Sequence, residues 1–215
     1  SRELAGHTPS DFPLVAMTAD DVAELEATVP GGPADVLPLL PLQQGMYFHS
    51  VQALSTDVVD RDPYVIQHVL ELRGPVDPDL LRRAVEAMVA RHPVLRACFR
   101  ELADGRVVQV LAGRVDLDWE IVDLRDRPDA FESVAAERFR TVFDLAEPPL
   151  LRYALVSVAD DRHRLVQTMH HLLADGWSYP LMFADVMAAY RQLVQTGRAD
   201  LPVPAVTFAD HVARL

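Results

Sequence analysis

Apolar and polar positions along this chain follow two periods, and the switches between them mark out its elements. After Asp77-Pro78, the apolar residues Leu81, Ala84, Val85 and Met88 recur at the three- and four-residue spacing of one helical face. That helix should stop near His92, because Pro93 disfavours helix in the residue before it. Phe131, Ala135, Phe139 and Val142 predict a helix over 129–142, and Met182, Val186, Ala189 and Leu193 predict another from Tyr179 to Gln195, ended by Gly197. Pro41 suits a first helical turn and opens a segment through Gln52 in which Leu42, Met46 and His49 fall at helical spacing. Thr18, followed by Asp20 and Asp21, predicts a capped short helix to Thr28, ended by Pro30-Gly31-Gly32-Pro33. A last short helix is expected from Phe208 to Leu215.

Between these stretches the pattern changes to β-branched and aromatic runs bounded by turn residues. Tyr64 to Leu72, Val94 to Arg100, Val107 to Leu111, Leu117 to Val122, Leu150 to Val158 and His163 to His170 are the predicted strands. Asp104-Gly105 predicts a hairpin between the second and third of them. Residues 1–17 hold Gly6, Pro9, Ser10, Asp11 and Pro13 without a sustained period and are expected to be linker. Strands mixed with packed helices predict an α/β layered domain, with a strand order that the pattern does not give.

Composition narrows the chemistry. The chain has 215 residues, half of them hydrophobic, which suits one sizeable core. Its formal charge of −12 argues against general nucleic-acid binding, and no apolar run approaches the roughly 18 residues of a membrane span. All 20 basic side chains are arginine, so a lysine Schiff base or lysine nucleophile is excluded. The lone Cys98 has no partner for an internal disulfide and fits a reducing cytoplasm, where we expect the protein to reside; its β-run setting predicts an inert buried thiol.

Candidate chemistry concentrates in His170-His171-Leu172-Leu173-Ala174-Asp175-Gly176-Trp177-Ser178, at the end of the run Leu165 to Met169. In a strand, successive side chains diverge, so His171 shares a face with Leu165 and Met169 while His170 points the other way. The same divergence disfavours a metal site on His170, His171 and Asp175. Helper residues are expected from the neighbouring strand, where Arg152 and Tyr153 lie. Ser178 lacks the G-x-S-x-G elbow of a nucleophile and is expected to cap the helix that follows.

This HHxxxDG pattern resembles the active-site motif of condensation domains of non-ribosomal peptide synthetases, which are themselves similar to chloramphenicol acetyltransferase. Two further stretches extend the likeness in the same order: Leu37-Pro38-Leu39-Leu40-Pro41-Leu42-Gln43-Gln44-Gly45-Met46-Tyr47-Phe48-His49-Ser50 resembles the first motif of the family, and Arg91-His92-Pro93-Val94-Leu95-Arg96-Ala97-Cys98-Phe99 its second. The resemblance implies an acetyltransferase-like layered α/β sandwich, here a single amino-terminal lobe of a two-lobed domain. It places a linker and short helix from the preceding domain at 1–35, the lobe at 36–198, and the start of the connection to the missing carboxy-terminal lobe at 199–215.

In function, the resemblance implies amide-bond formation in the biosynthesis of antibiotics or siderophores. The amine of one carrier-bound aminoacyl group attacks the thioester of another. Partners would be donor and acceptor peptidyl carrier domains, the second lobe and neighbouring synthetase domains, with no nucleic acid and no membrane. No cofactor is bound covalently; the substrates arrive on phosphopantetheine arms. His171 would face the channel as general base or positioning group, and Gly176 would keep bulk out of it or present its N–H to the reacting carbonyl. His170 and Asp175 would be structural, Asp175 pairing with Arg96 or alternatively Arg91. The substrate channel of the family lies between two lobes, so the chain alone is expected to be inactive. An epimerisation domain, which shares HHxxxDG, and a non-catalytic carrier-docking or recruitment module are the competing readings. The stretch Pro41 to Met46 favours condensation over epimerisation, particularly with a D-configured donor.

Overall fold

The structure, a computed structural model, describes residues 6–55, 62–140 and 142–214, the side chain of Leu54 excepted. In chain order the elements are α1 (Ala19–Thr28), β1 (Pro33–Pro38), α2 (Pro41–Ser55), β2 (Val65–Arg73), α3 (Pro78–Arg91), β3 (Ala97–Glu101), β4 (Val107–Ala112), β5 (Asp118–Asp123), α4 (Phe131–Arg140), β6 (Leu151–Ala159), β7 (Arg162–His170), α5 (Ser178–Thr196) and α6 (Phe208–Val212). The first five residues of the expected linker, Thr141 in the expected helix 129–142, and Leu215 at the end of the expected last helix lie outside the described residues.

Local chemistry sets most boundaries where the pattern placed them. The Thr18 hydroxyl accepts from Asp21 N–H, and the Asp21 carboxylate accepts from Thr18 N–H, so α1 starts on a capping box. Asp77 caps α3 by accepting from the N–H groups of Asp79 and Leu80, and Leu81, Ala84, Val85 and Met88 are buried as the stripe predicts. Gly197, at a φ of 73°, closes α5 in the left-handed conformation that glycine adopts without penalty.

Two sheets hold these elements. One is three-stranded and antiparallel in the order β1-β4-β3; the other has four strands in the order β2-β7-β6-β5, with only β5 and β6 parallel. Alternation along the strands sends residues of each sheet to cores on both of its faces, although the edge strand β5 is largely exposed. In the first sheet, Leu37, Ala97, Phe99 and Leu111 enter the main core, whereas Val36, Cys98, Val108 and Val110 share a second cluster with Val22 and Leu25 of α1 and with Val29 just after it. In the second, Leu151, Tyr153, Leu155, Leu165 and Met169 share that main core with α3 and α5, while Ala154, Val156 and Val166 pack under Phe131 and Ala135 of α4. This is the expected layered α/β architecture.

Several expectations need correction. β1 carries prolines at both ends and lacks the strand pattern; it survives because it is an edge, where a missing N–H costs no ladder bond. Residues 93–96 form a 3-10 turn in place of strand, since Pro93 favours a turn and Leu95 N–H reaches His92 C=O. The helix expected over 129–142 stops at Arg140, leaving Val142 exposed. The leading segment expected as linker is packed in part: Phe12 and Val15 are buried in the same cluster as α1. The strand order, which the pattern left open, places β5 at the edge of the second sheet, because a βαβ crossover through α4 makes it parallel to β6.

Candidate active site

The turn that follows β7 is fixed from several directions, by groups of β7 itself, of α2 and of the segment leading into β2. His171 N–H donates to Tyr64 C=O at 2.8 Å, at the start of β2. Leu172 N–H donates to His170 Nδ1 at 3.1 Å, and Leu172 C=O accepts from Gln43 Nε2 at 3.1 Å. Gln43, near the start of α2, also accepts from Leu40 N–H through Oε1 and reaches Gln109 Oε1 on β4 at 3.2 Å. The first and third motif stretches are therefore joined at the carbonyl of Leu172, the residue after His171.

The two histidines part, His170 as the last residue of β7 and His171 as the first of the turn after it. His170 is fully buried, with Nε2 3.0 Å from Asp62 Oδ2 and 3.2 Å from Ser50 Oγ. His171 is half-buried and lines a cleft. Its Nδ1 lies 2.7 Å from Ala174 C=O, an acceptor, so in the neutral ring Nδ1 carries the proton and Nε2, which has no hydrogen-bond partner among the described residues, keeps its lone pair. A ring of this kind can accept a proton at Nε2 or donate one after accepting it.

The cleft has a volume of about 730 Å³, and all three motif stretches meet in its wall: Gln43 and Met46, Arg91 to Arg96, and His171 to Asp175. Residues of α6 and the segment before it, Phe208 among them, complete the wall. Asp35 of β1 also faces it, and burial raises that carboxyl from its ordinary value, partly offset by the Val36 N–H. Met46 is buried and reaches the cleft, Tyr47 packs against Phe99, and Phe48 is exposed.

The remaining motif residues sit differently from the expectation. Asp175 is exposed, and its Oδ1 accepts from both the N–H and the hydroxyl of Ser178, so the aspartate holds the first residue of α5 and Ser178 is its donor. Among the described residues no ion pair joins Asp175 to Arg96 or Arg91. Arg96 instead donates to the carbonyls of Ala112, Val89 and Ala90, two of them in the last turn of α3, where a cation offsets the helix dipole. Arg91 and His92 both approach Asp185 of α5, at 3.3 and 2.7 Å. Gly176 does not line the cleft; its φ is not positive, and a Cβ built there meets nothing within 4 Å, so no neighbour in the chain demands glycine.

The neighbouring-strand residues Arg152 and Tyr153 lie away from the turn, and the Tyr153 hydroxyl accepts from Gln167 Nε2. Strand register sets them opposite Thr168 and Gln167, and Arg152 stacks over the Phe143 ring. The groups that do support the turn, Gln43, Ser50, Asp62 and Tyr64, come from α2 and the approach to β2. Gln43 and Ser50 lie within a motif stretch, but nothing in the sequence points to Asp62, which is 108 residues from His170.

Residues 33–215 match the family model described as Condensation domain. Over 86% of its length the chain is 32% identical to tyrocidine synthase 2 of Brevibacillus parabrevis, of which it spans 5%. Bacitracin synthase 1 of Bacillus licheniformis is 27% identical over 98% of the chain, which spans 4% of that protein. Among solved structures, the starter condensation domain of rhizomide synthetase matches with a TM-score of 0.72 at 21% identity, covering 83% of this chain and 42% of that one. The epimerization domain from the third module of tyrocidine synthetase B matches at 0.70 and 24% identity, covering 83% and 39%. At such identities the structural likeness is one of fold.

Proposed function

The chain belongs to the condensation-domain family, and from that premise we propose that it contributes the reactive wall of a peptide-bond-forming site. A carrier-bound amine attacks the carbonyl carbon of a second carrier-bound group's thioester; a C–N bond forms, the C–S bond breaks, and the leaving thiolate takes up a proton. The observation that carries this reading is the His171 ring, held by Ala174 C=O with Nε2 free at a cleft where three motif stretches meet.

Nε2 accepts the hydrogen of the attacking amine and returns a proton to the leaving sulfur, or holds the amine in line with the carbonyl. An unperturbed α-amino group has a pKa of about 7.7 to 8.0, so part of it is already neutral near pH 7 and the demand for a strong base is modest. A hydroxyl acceptor would lean on His171 far more heavily. The donor and acceptor arms, the carrier domains that bear them and the opposite lobe are partners in this scheme, and no cofactor is needed. The cleft is open on this chain, so the 215 residues by themselves turn over little or nothing.

The test is dipeptide formation by the parent synthetase with both carriers loaded, comparing wild type with His171→Ala of verified fold. The reading predicts a loss of at least about a hundredfold, the usual scale for a positioned acid–base group. Full activity in the folded variant would reduce the turn to scaffold and favour carrier recruitment without chemistry.

A further inference from the structure

We propose that Asp62 is a positioning residue for His171, acting by locking the tautomer of His170. The proposal deepens the reading of His171 as the reacting group and rests on it for its catalytic consequence. Asp62 is 3% exposed and His170 not at all, so their contact is dry and its donors and acceptors have to match. Its Oδ1 accepts from Tyr64 N–H at 2.9 Å and from the Ser50 hydroxyl at 3.0 Å; its Oδ2 lies 3.0 Å from His170 Nε2. An ionised carboxylate only accepts, so Nε2 carries the proton and His170 Nδ1 is left bare. Nδ1 is the atom that receives Leu172 N–H, immediately after His171.

Asp62 therefore reaches His171 by two paths. One runs through His170 to the Leu172 peptide. The other runs through the backbone of Tyr64, whose N–H is held by Asp62 and whose C=O holds His171 N–H. With Gln43 fixing Leu172 C=O, the backbone on both sides of His171 is tied, and the contact from His171 Nδ1 to Ala174 C=O follows from that placement.

Asp62→Asn keeps the shape and breaks the logic. Tyr64 N–H is a fixed donor, so the amide oxygen turns to it and the amide nitrogen faces His170 Nε2. His170 then has to accept at Nε2 and carry its proton on Nδ1, where it opposes Leu172 N–H. The turn loosens and His171 loses its single tautomer.

Ring-nitrogen NMR of the labelled 215-residue chain near pH 7 reads both histidines directly. The expected wild-type result is an Nε2–H tautomer for His170 and an Nδ1–H tautomer for His171. In Asp62→Asn, His170 should change to Nδ1–H and His171 to a mixture, and in the parent synthetase kcat should fall between about ten- and a hundredfold with KM little changed. A wild-type His170 that is Nδ1–H or doubly protonated overturns the lock without any variant, which keeps the test decisive if Asp62→Asn does not fold. Unchanged tautomers in a folded variant also overturn it. Changed tautomers with full synthetase activity leave the lock standing and overturn the reading of His171 as the reacting group.

Discussion

Tyr179 shows how much a single polar atom can matter in this core. Its ring is buried against His68 at a centroid distance of 3.8 Å, yet its hydroxyl has no hydrogen-bond partner among the described residues, and burial raises its pKa well above the usual value, with Asp175 adding to the effect. A buried hydroxyl without a partner costs more than an apolar group of the same shape. Tyr179→Phe should therefore raise stability by about 1 kcal/mol in urea unfolding; a loss of that size would mean the hydroxyl is satisfied. His171, Asp175 and Gly176 are legible in the sequence as a group because their spacing is a pattern. Their separate duties are not. The hold of Asp175 on Ser178 depends on where α5 begins, and the role of Asp62 depends on a contact between residues far apart in the chain, so neither leaves a local signal.

Elements are legible wherever a period and a terminator agree. α3 and α5 have both, a buried stripe and a cap, and the structure starts and ends them within a residue or two of expectation. β1 has neither, since its residues alternate poorly between two prolines and it exists through pairing with β4. β5 is recognisable as a strand but not as a member of the second sheet, because sheet membership is decided by the crossover and not by the strand's own residues. The clearest element-scale prediction concerns α1. Thr18→Ala removes the hydroxyl of a reciprocal capping box, and should cost about 1 kcal/mol, seen as a lower urea midpoint with an unchanged slope. A cost near zero would show that α1 is held by Val22 and Leu25 alone.

At the scale of the whole molecule, one core joins both sheets, and the cleft opens where the ends of β1, α2, β7 and α5 come together. Secondary structure can be read along the chain, but this convergence cannot, because it is a property of two sheets packed through shared residues such as Leu37, Leu111 and Met169. The chain's formal charge of −12 bears on solubility and encounter with partners, and leaves the site's chemistry to the few groups that line it. The central claim is that His171 presents Nε2 to the reacting groups from this cleft while Ala174 holds its other nitrogen. The most direct measurement is a structure of the parent synthetase region with a carrier bearing a stable amide analogue of the thioester. The account predicts the analogue's reacting centre at about 3 Å from His171 Nε2, with Nδ1 still on Ala174 C=O. An arm seated away from His171, for instance against Tyr47 and Phe48 on the other side of α2, would contradict it.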